Sequence, residues 1–284
     1  MPVPAQNQQY ENFIIRYKQN THGGFDYESD ETFQIVNDLF GILYVPMQEV
    51  PELELSSYSY SSIPRCYTYM DTGALSTSGV TRLHNHPYLK LQGKGTLVAV
   101  IDSGIDYLHP AFHNGVQSKI FSIWDQTLEG GADGRIPFGR EFGRQQIEQA
   151  LASENPWEIV PSSDTNGHGT RSAATAAGYR IEKDNFCGAA PEAEIVIVKL
   201  KQAKNYLRDF YLLPRDIDIF QEDDIMLAIS YVLFIAQEQQ MPLSICIGLG
   251  TSMGAHQGEG PLNEYINSIA AFTQNAVSVP AGNE

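Results

Sequence analysis

The sequence predicts a doubly wound α/β protein, a parallel sheet with helices on both faces, preceded by a small α+β unit. Two observations carry the larger part. Apolar runs at residues 97–100, 195–200, 243–247 and 276–279 are rich in Val, Ile, Leu and Ala, as strands covered on both faces require. Helical patterns lie between these runs, which gives the strand–helix alternation of an open α/β sheet. A third observation sets the front of the chain apart: residues 13–17, 40–45 and 63–67 read as short strands of alternating character.

The elements follow in chain order. Residues 58–62 are rich in Ser and Tyr, and residues 71–79 (DTGALSTSG) are small and polar, a composition suited to a linker or a cleavable hinge. The boundary is therefore placed there, with one unit at 1–75 and a second at 76–284. Residues 170–178 (TRSAATAAG) form a small-residue helix. Glu222, Asp223 and Asp224 open an amphipathic helix through Ile225, Ala228, Ile229, Val232 and Ile235, with carboxylates at the positive end of its dipole. Pro261 suits the first turn of another helix through Tyr265, Ile266, Ile269 and Phe272. No internal repeat is evident.

Composition narrows the function. Lys and Arg total 18 against 34 Asp and Glu, a net charge of −16, which argues against nucleic acid or an anionic membrane as partner. Cys66, Cys187 and Cys246 are odd in number and widely spaced, so neither a disulfide framework nor a zinc site is expected. The N-terminus lacks the basic and apolar regions of a signal peptide, and no apolar run reaches bilayer-spanning length. An intracellular protein is expected.

Two residues stand out chemically. Asp102 directly follows a strand run, the edge where open α/β sheets place reactive groups. A carboxylate there can accept the Nδ1 proton of a histidine and stabilise the imidazolium formed in acyl transfer. Taken alone, Asp102 reads equally as a turn residue, because Asp-Ser-Gly is also turn chemistry. His168 sits between Gly167 and Gly169 at a helix start, a position open to close backbone approach and suited to a general base. A lone histidine there reads better as a surface residue. Its neighbours and the upstream Asp102 reverse that preference.

Together, VIDSGIDYLHP (100–110), DTNGHGT (164–170) and PAGNE (280–284) resemble the Asp, His and oxyanion-Asn boxes of subtilisin-like serine proteases, the peptidase S8 family, in the family's order. The resemblance covers residues 80 to 284. IWDQT, GREF, NPWEIVPS, VKLKQAKNYLRDFYLLP and ICIGLGTSMGAHQG further resemble an intracellular branch that includes spore-germination subtilases. That branch implies a prodomain, which residues 1–75 match, acting as folding aid and inhibitor, and a spore-associated setting. Asp102 would orient His168, and His168 would take the proton of the serine. Asn283 would donate to the tetrahedral oxyanion, worth about 3–4 kcal/mol of transition-state stabilisation in such enzymes. Gly248, Leu249 and Gly250 would form the extended strip that pairs with substrate backbone. The implied partners are a polypeptide substrate and the chain's own prodomain, with hinge cleavage within residues 70–79.

The nucleophile is the missing part. Gly250-Thr251-Ser252-Met253 imitates the start of the family's serine box, but Ser252 precedes Asn283 whereas the family serine follows it. Gly254, Ala255 and His256 also stand where a small residue and Pro belong. Ser252 is therefore rejected, and the sequence is expected to be the N-terminal portion of a catalytic domain whose serine follows Asn283. No cofactor is required. Calcium is common in the family, but the usual acidic position after His-Pro is Ala111. Asp106 and His109 are two ligands at most and do not make a metal site. Trp124 and Trp157 read as core or loop anchors. Two other readings remain: a pseudoprotease that keeps the scaffold for binding or regulation, and an unrelated α/β ligand-binding protein.

Overall fold

The structure, a computed structural model, describes residues 3–16, 32–50, 58–69, 80–84, 86, 88, 91–130, 135–184, 186–254, 257–272 and 274–280. The expected hinge at 71–79 and Asn283 lie outside the described residues.

In the front of the chain, β1 (Tyr10–Arg16) and β2 (Phe33–Ile35) flank β3 (Phe40–Pro46) in an antiparallel sheet of order β1-β3-β2. Alternation along β3 sends Phe40, Ile42 and Tyr44 to one buried face. The turn into β3 is set by Asn37, whose Oδ1 accepts from the backbone N–H of Leu39 (2.9 Å) and Phe40 (2.8 Å). No α-helix of the expected α+β unit is among the described residues of 1–75. The third expected strand, residues 63–67, takes a different course. It becomes β4 (Cys66–Tyr69), which leaves this sheet altogether.

After α1 (Val80–His84) the chain builds the main sheet. Its strands are β5 (Leu97–Asp102), β6 (Ile120–Asp125), β7 (Arg140–Gly143) and β8 (Glu194–Lys199). Between β7 and β8 run α2 (Arg144–Leu151), α3 (Pro156–Ile159) and α4 (His168–Ala177). Next come α5 (Asn205–Phe210), the short β9 (Phe220–Gln221) and α6 (Glu222–Gln239). The chain continues through β10 (Leu243–Ile247), β11 (Leu249–Gly250), α7 (Pro261–Ala270) and β12 (Asn275–Ser278).

The sheet order is β12-β10-β5-β8-β6-β7. Every neighbouring pair is parallel except β6 with β7. All four apolar runs are strands of this sheet. Its two faces separate by the strand period: Leu97, Ala99 and Ile101 of β5 join one core with α6, α7 and the front sheet, while Val98 and Val100 join another with α2 and α4. The expected doubly wound architecture is present.

One run departs from expectation. β12 is the edge strand, with Ala276 and Ser278 exposed and Val277 half-buried. The expected helix residues Ile225, Ala228, Ile229, Val232 and Ile235 are all buried on α6. On α7, Tyr265 and Ile269 are buried, and Phe272 lies past the helix end and is exposed. β5 is flanked by β8 on one side and β10 on the other, so the chain reverses its direction of winding there. The crevice at the carboxyl end of β5 is the switch point where such sheets bind ligands.

Candidate active site

Asp102 is the last residue of β5 and is fully buried. His168 is the first residue of α4, which packs against β5. The two meet: His168 Nδ1 lies 2.8 Å from Asp102 Oδ1 and 2.9 Å from Oδ2. A carboxylate gripping Nδ1 in this way fixes the ring and its tautomer, with Nε2 as the nitrogen for proton exchange.

The pair is held by a second carboxylate that sequence reasoning did not single out. Asp164 Oδ1 accepts from Ser103 Oγ (2.8 Å) and Gly167 N (2.9 Å), and Oδ2 accepts from Thr170 N (2.8 Å) and Thr170 Oγ1 (2.6 Å). Ser103 Oγ in turn accepts from Gly169 N at 2.9 Å, and Ser103 N donates to Asp102 Oδ1 at 2.7 Å. Thr170 Oγ1 accepts from Asp106 N at 2.9 Å. Asp164 thus ties the loop after β5 to the start of α4. Burial pushes its pKa up, but the Thr170, Ser103 and Gly167 hydrogen bonds outweigh burial and hold it below the ordinary 3.8. The signal was present in the sequence, since Asp164 opens the DTNGHGT box, but its partners are set by the fold.

Gly248, between β10 and β11, presses on the pair. A Cβ there would collide with Asp102 Oδ2 and lie 3.1 Å from His168 Cε1. The strip Gly248-Leu249-Gly250 therefore starts beside the Asp–His pair. Its edge is occupied: Leu249 pairs with Tyr69 and Gly250 with Thr68, antiparallel. On its other side β4 pairs with β9, Cys66 with Gln221 and Tyr67 with Phe220. Residues 66–69 are the middle strand of a three-stranded sheet of order β11-β4-β9.

The remaining candidates fall into place. Ser252 is exposed, two residues beyond the strip. His109 accepts from Ala111 N at 3.2 Å through Nδ1, a turn-forming role. Ala111 is fully buried in the apolar core, has no side-chain oxygen, and its carbonyl accepts from Tyr179 N at 2.8 Å, so this position does not fit the ion. Among the described residues, no group of three or more His, Cys, Asp or Glu could hold a metal ion. Trp124 is buried, its Nε1 donating to Phe138 O at 2.8 Å, while Trp157 stands half-exposed edge-on to Tyr107. The cysteines are free, and burial pushes the Cys66 thiol up to about 12 and that of Cys246 to about 11. No helix among the described residues is long and apolar enough to cross a membrane.

Comparison with known proteins bears on this geometry. Residues 93–211, which include both Asp102 and His168, match the subtilase family. The subtilisin-like protease SBT1.4 of Arabidopsis thaliana is 30% identical over 125 residues, 38% of this chain and 16% of that protein. SBT1.9 of the same plant is 28% identical over 142 residues, covering 45% of this chain and 18% of that protein. Among solved structures, the CspB protease of Clostridium perfringens is 29% identical with a TM-score of 0.59, covering 72% of this chain and 39% of that one. The chain thus spans well under half the length of these relatives. Its mixed α/β fold, built on a largely parallel sheet, is similar to that of a subtilisin-like protease, and a subtilase-like segment carries the Asp102–His168 pair.

Proposed function

We propose that this chain is part of a subtilisin-type serine endopeptidase, which hydrolyses peptide bonds through an acyl-enzyme. The observation that carries the reading is the two-oxygen grip of Asp102 on His168 Nδ1 at the carboxyl end of β5, inside the segment that matches the subtilases. In this reading His168 Nε2 takes the proton of a serine hydroxyl as it attacks the scissile carbonyl and returns it to the leaving amine. Asp102 stabilises the imidazolium formed in between. Asn283 donates its amide to the oxyanion. No serine in these 284 residues lies in a Gly-Thr-Ser-x-Ala-x-Pro pattern, so the nucleophile is assigned to sequence outside them, and these residues alone would bind without cleaving. The chemistry uses protein groups only.

Residues 1–75 are proposed as a prodomain and inhibitor. The placement of β4 supports this, because Thr68 and Tyr69 take up the backbone edge of the strip that a substrate would use. Separation within residues 70–79 would follow, and an intracellular, spore-associated setting remains part of the proposal.

Labelling of the full-length protein with a fluorophosphonate probe tests the reading. A single serine should be labelled, and His168→Ala should abolish labelling. A correctly folded full-length protein that takes up no probe would favour the pseudoprotease instead.

A further inference from the structure

The residue that leads into β4 is held in an unusual way. Arg65 is 6% exposed although it lies on a chain of net charge −16 and carries no part of the proposed chemistry. Its backbone extends the β4–β9 ladder by one step: Glu222 N donates to Arg65 O at 2.7 Å, and Arg65 N donates to Glu222 Oε2 at 3.1 Å. Its guanidinium rests against two glycines of the β11–α7 connection. A Cβ on Gly254 would lie 2.7 Å from Arg65 Nη1 and 2.8 Å from Cζ. One on Gly260 would overlap Nη2 and come within 2.8 Å of Nη1. Both glycines have positive φ, +91° and +131°, so the loop shape that walls this space is closed to other residues twice over.

The counter-charge is Glu222, the fully buried first residue of α6. Its Oε1 also accepts from Leu262 N at 3.2 Å, which ties the start of α7 to the same carboxylate. Burial raises the Glu222 pKa, and the Arg65 charge is the largest influence lowering it again. A guanidinium therefore offsets part of the desolvation of this carboxylate. Two glycine walls, a buried acid and a strand ladder that ends on the same residue describe a recess shaped for an arginine on an extended peptide.

We propose that Glu222, Gly254 and Gly260 form an arginine-selective subsite of the peptide cleft, with Arg65 as its resident occupant. The peptides it favours carry Arg four residues before the residue that pairs with Leu249. This rests on the reading of the cleft as a protease's, and it adds a substrate class that the Asp–His geometry does not specify. Arginine suits the place better than lysine, because its planar fork can lie between two backbone walls.

Two measurements test it. Full-length protein is assayed on quenched peptides that copy residues 60–75 with Arg, Lys or Ala at the Arg65 position. The Arg peptide should exceed the Ala peptide in kcat/KM by at least ten-fold, with Lys between them. Gly260→Ala should abolish the preference, read as the ratio of kcat/KM for the Arg and Ala peptides falling to about one. Separately, in the 284-residue chain, Arg65→Ala should speed amide exchange in residues 66–69 at least ten-fold, while Arg16→Ala, which loses an exposed pair with Glu264 and a contact with the Phe40 ring of the front sheet, should not. Equal cleavage of the Arg and Ala peptides overturns the proposal. If no peptide is cleaved, the protease reading fails first, and the exchange result alone decides: faster exchange supports the subsite and unchanged exchange overturns it.

Discussion

Asp164 shows how far a residue's part depends on its neighbours. Four hydrogen bonds converge on it, and two of its donors also hold backbone, Ser103 that of Gly169 beside His168 and Thr170 that of Asp106 in the loop after β5. Because its folded pKa lies below 3.8, its contribution to stability is present above that value and is lost as pH falls through the folded pKa. Asp164→Asn should lower the melting temperature by a full margin at pH 6 and by a shrinking margin below about pH 4. Equal margins at both would show that the charge is not what the loop uses. Gly169 makes a second case, since a Cβ there would run into the carbonyl of Gly104 and sit 3.2 Å from Asp102 Cβ. Gly169→Ala should destabilise by about 1–3 kcal/mol, the usual cost of forcing a methyl into packed structure, and urea titration would measure it. Asp102 and His168 were legible in the sequence because each sits in a short contiguous box. Asp164 was in view yet without a role, because its work is done by residues up to 61 positions away.

At the scale of elements the same division holds. Strands β5, β8 and β10 declared themselves through apolar runs that need no partner to be recognised. Strand β7 (REFG) has no such run and is a strand because β6 offers it an edge. Strand β4 shows the limit, for its sequence pattern marked a strand at 63–67 but not that residues 66–69 would pair with β9 and β11. Pairing with residues more than 150 positions away is set by where β9 and β11 stand and leaves no local trace. Thr68→Pro tests how much this pairing holds. Proline removes a backbone donor and suits no central strand, so residues 58–69 should become open to limited proteolysis while the β1-β3-β2 sheet stays resistant. Unchanged resistance of 58–69 would mean that side chains, Arg65 foremost, hold the strand without its ladder.

At the scale of the molecule, the front sheet is locked to α6 by buried charge. Glu222, Asp223 and Asp224 read as helix-dipole carboxylates, and all are buried. Asn12 of β1 donates to Asp223 Oδ2 at 2.5 Å, Lys201 pairs with Asp224 at 2.5 Å, and Lys204 Nζ donates to Pro4 O (2.9 Å), Tyr10 O (3.1 Å) and Asn12 Oδ1 (2.6 Å). Tyr206 completes the lock, donating to Asn12 O at 3.0 Å. Burial drives the pKa values of these groups together. It pushes Glu11 up to about 7 against the pull of Lys204, and Asp224 up to about 7 against that of Lys201. It brings Lys204 down to about 7, helped by Lys201 and opposed by Asp223, Asp224 and Glu11. The signs are opposite. The raised carboxylates contribute fully below their ordinary values of 4.5 and 3.8 and lose that contribution as pH rises to about 7. The lowered lysine contributes fully above 10.5 and loses that contribution as pH falls to about 7. Attachment of the front sheet should therefore be weakest near neutrality and firmer on either side. Thermal unfolding from pH 5 to 9 should show a minimum near pH 7, with Lys204→Met flattening the alkaline limb and Glu11→Gln reducing the acid one. A profile that rises or falls steadily through neutrality would show that these buried charges do not govern the attachment.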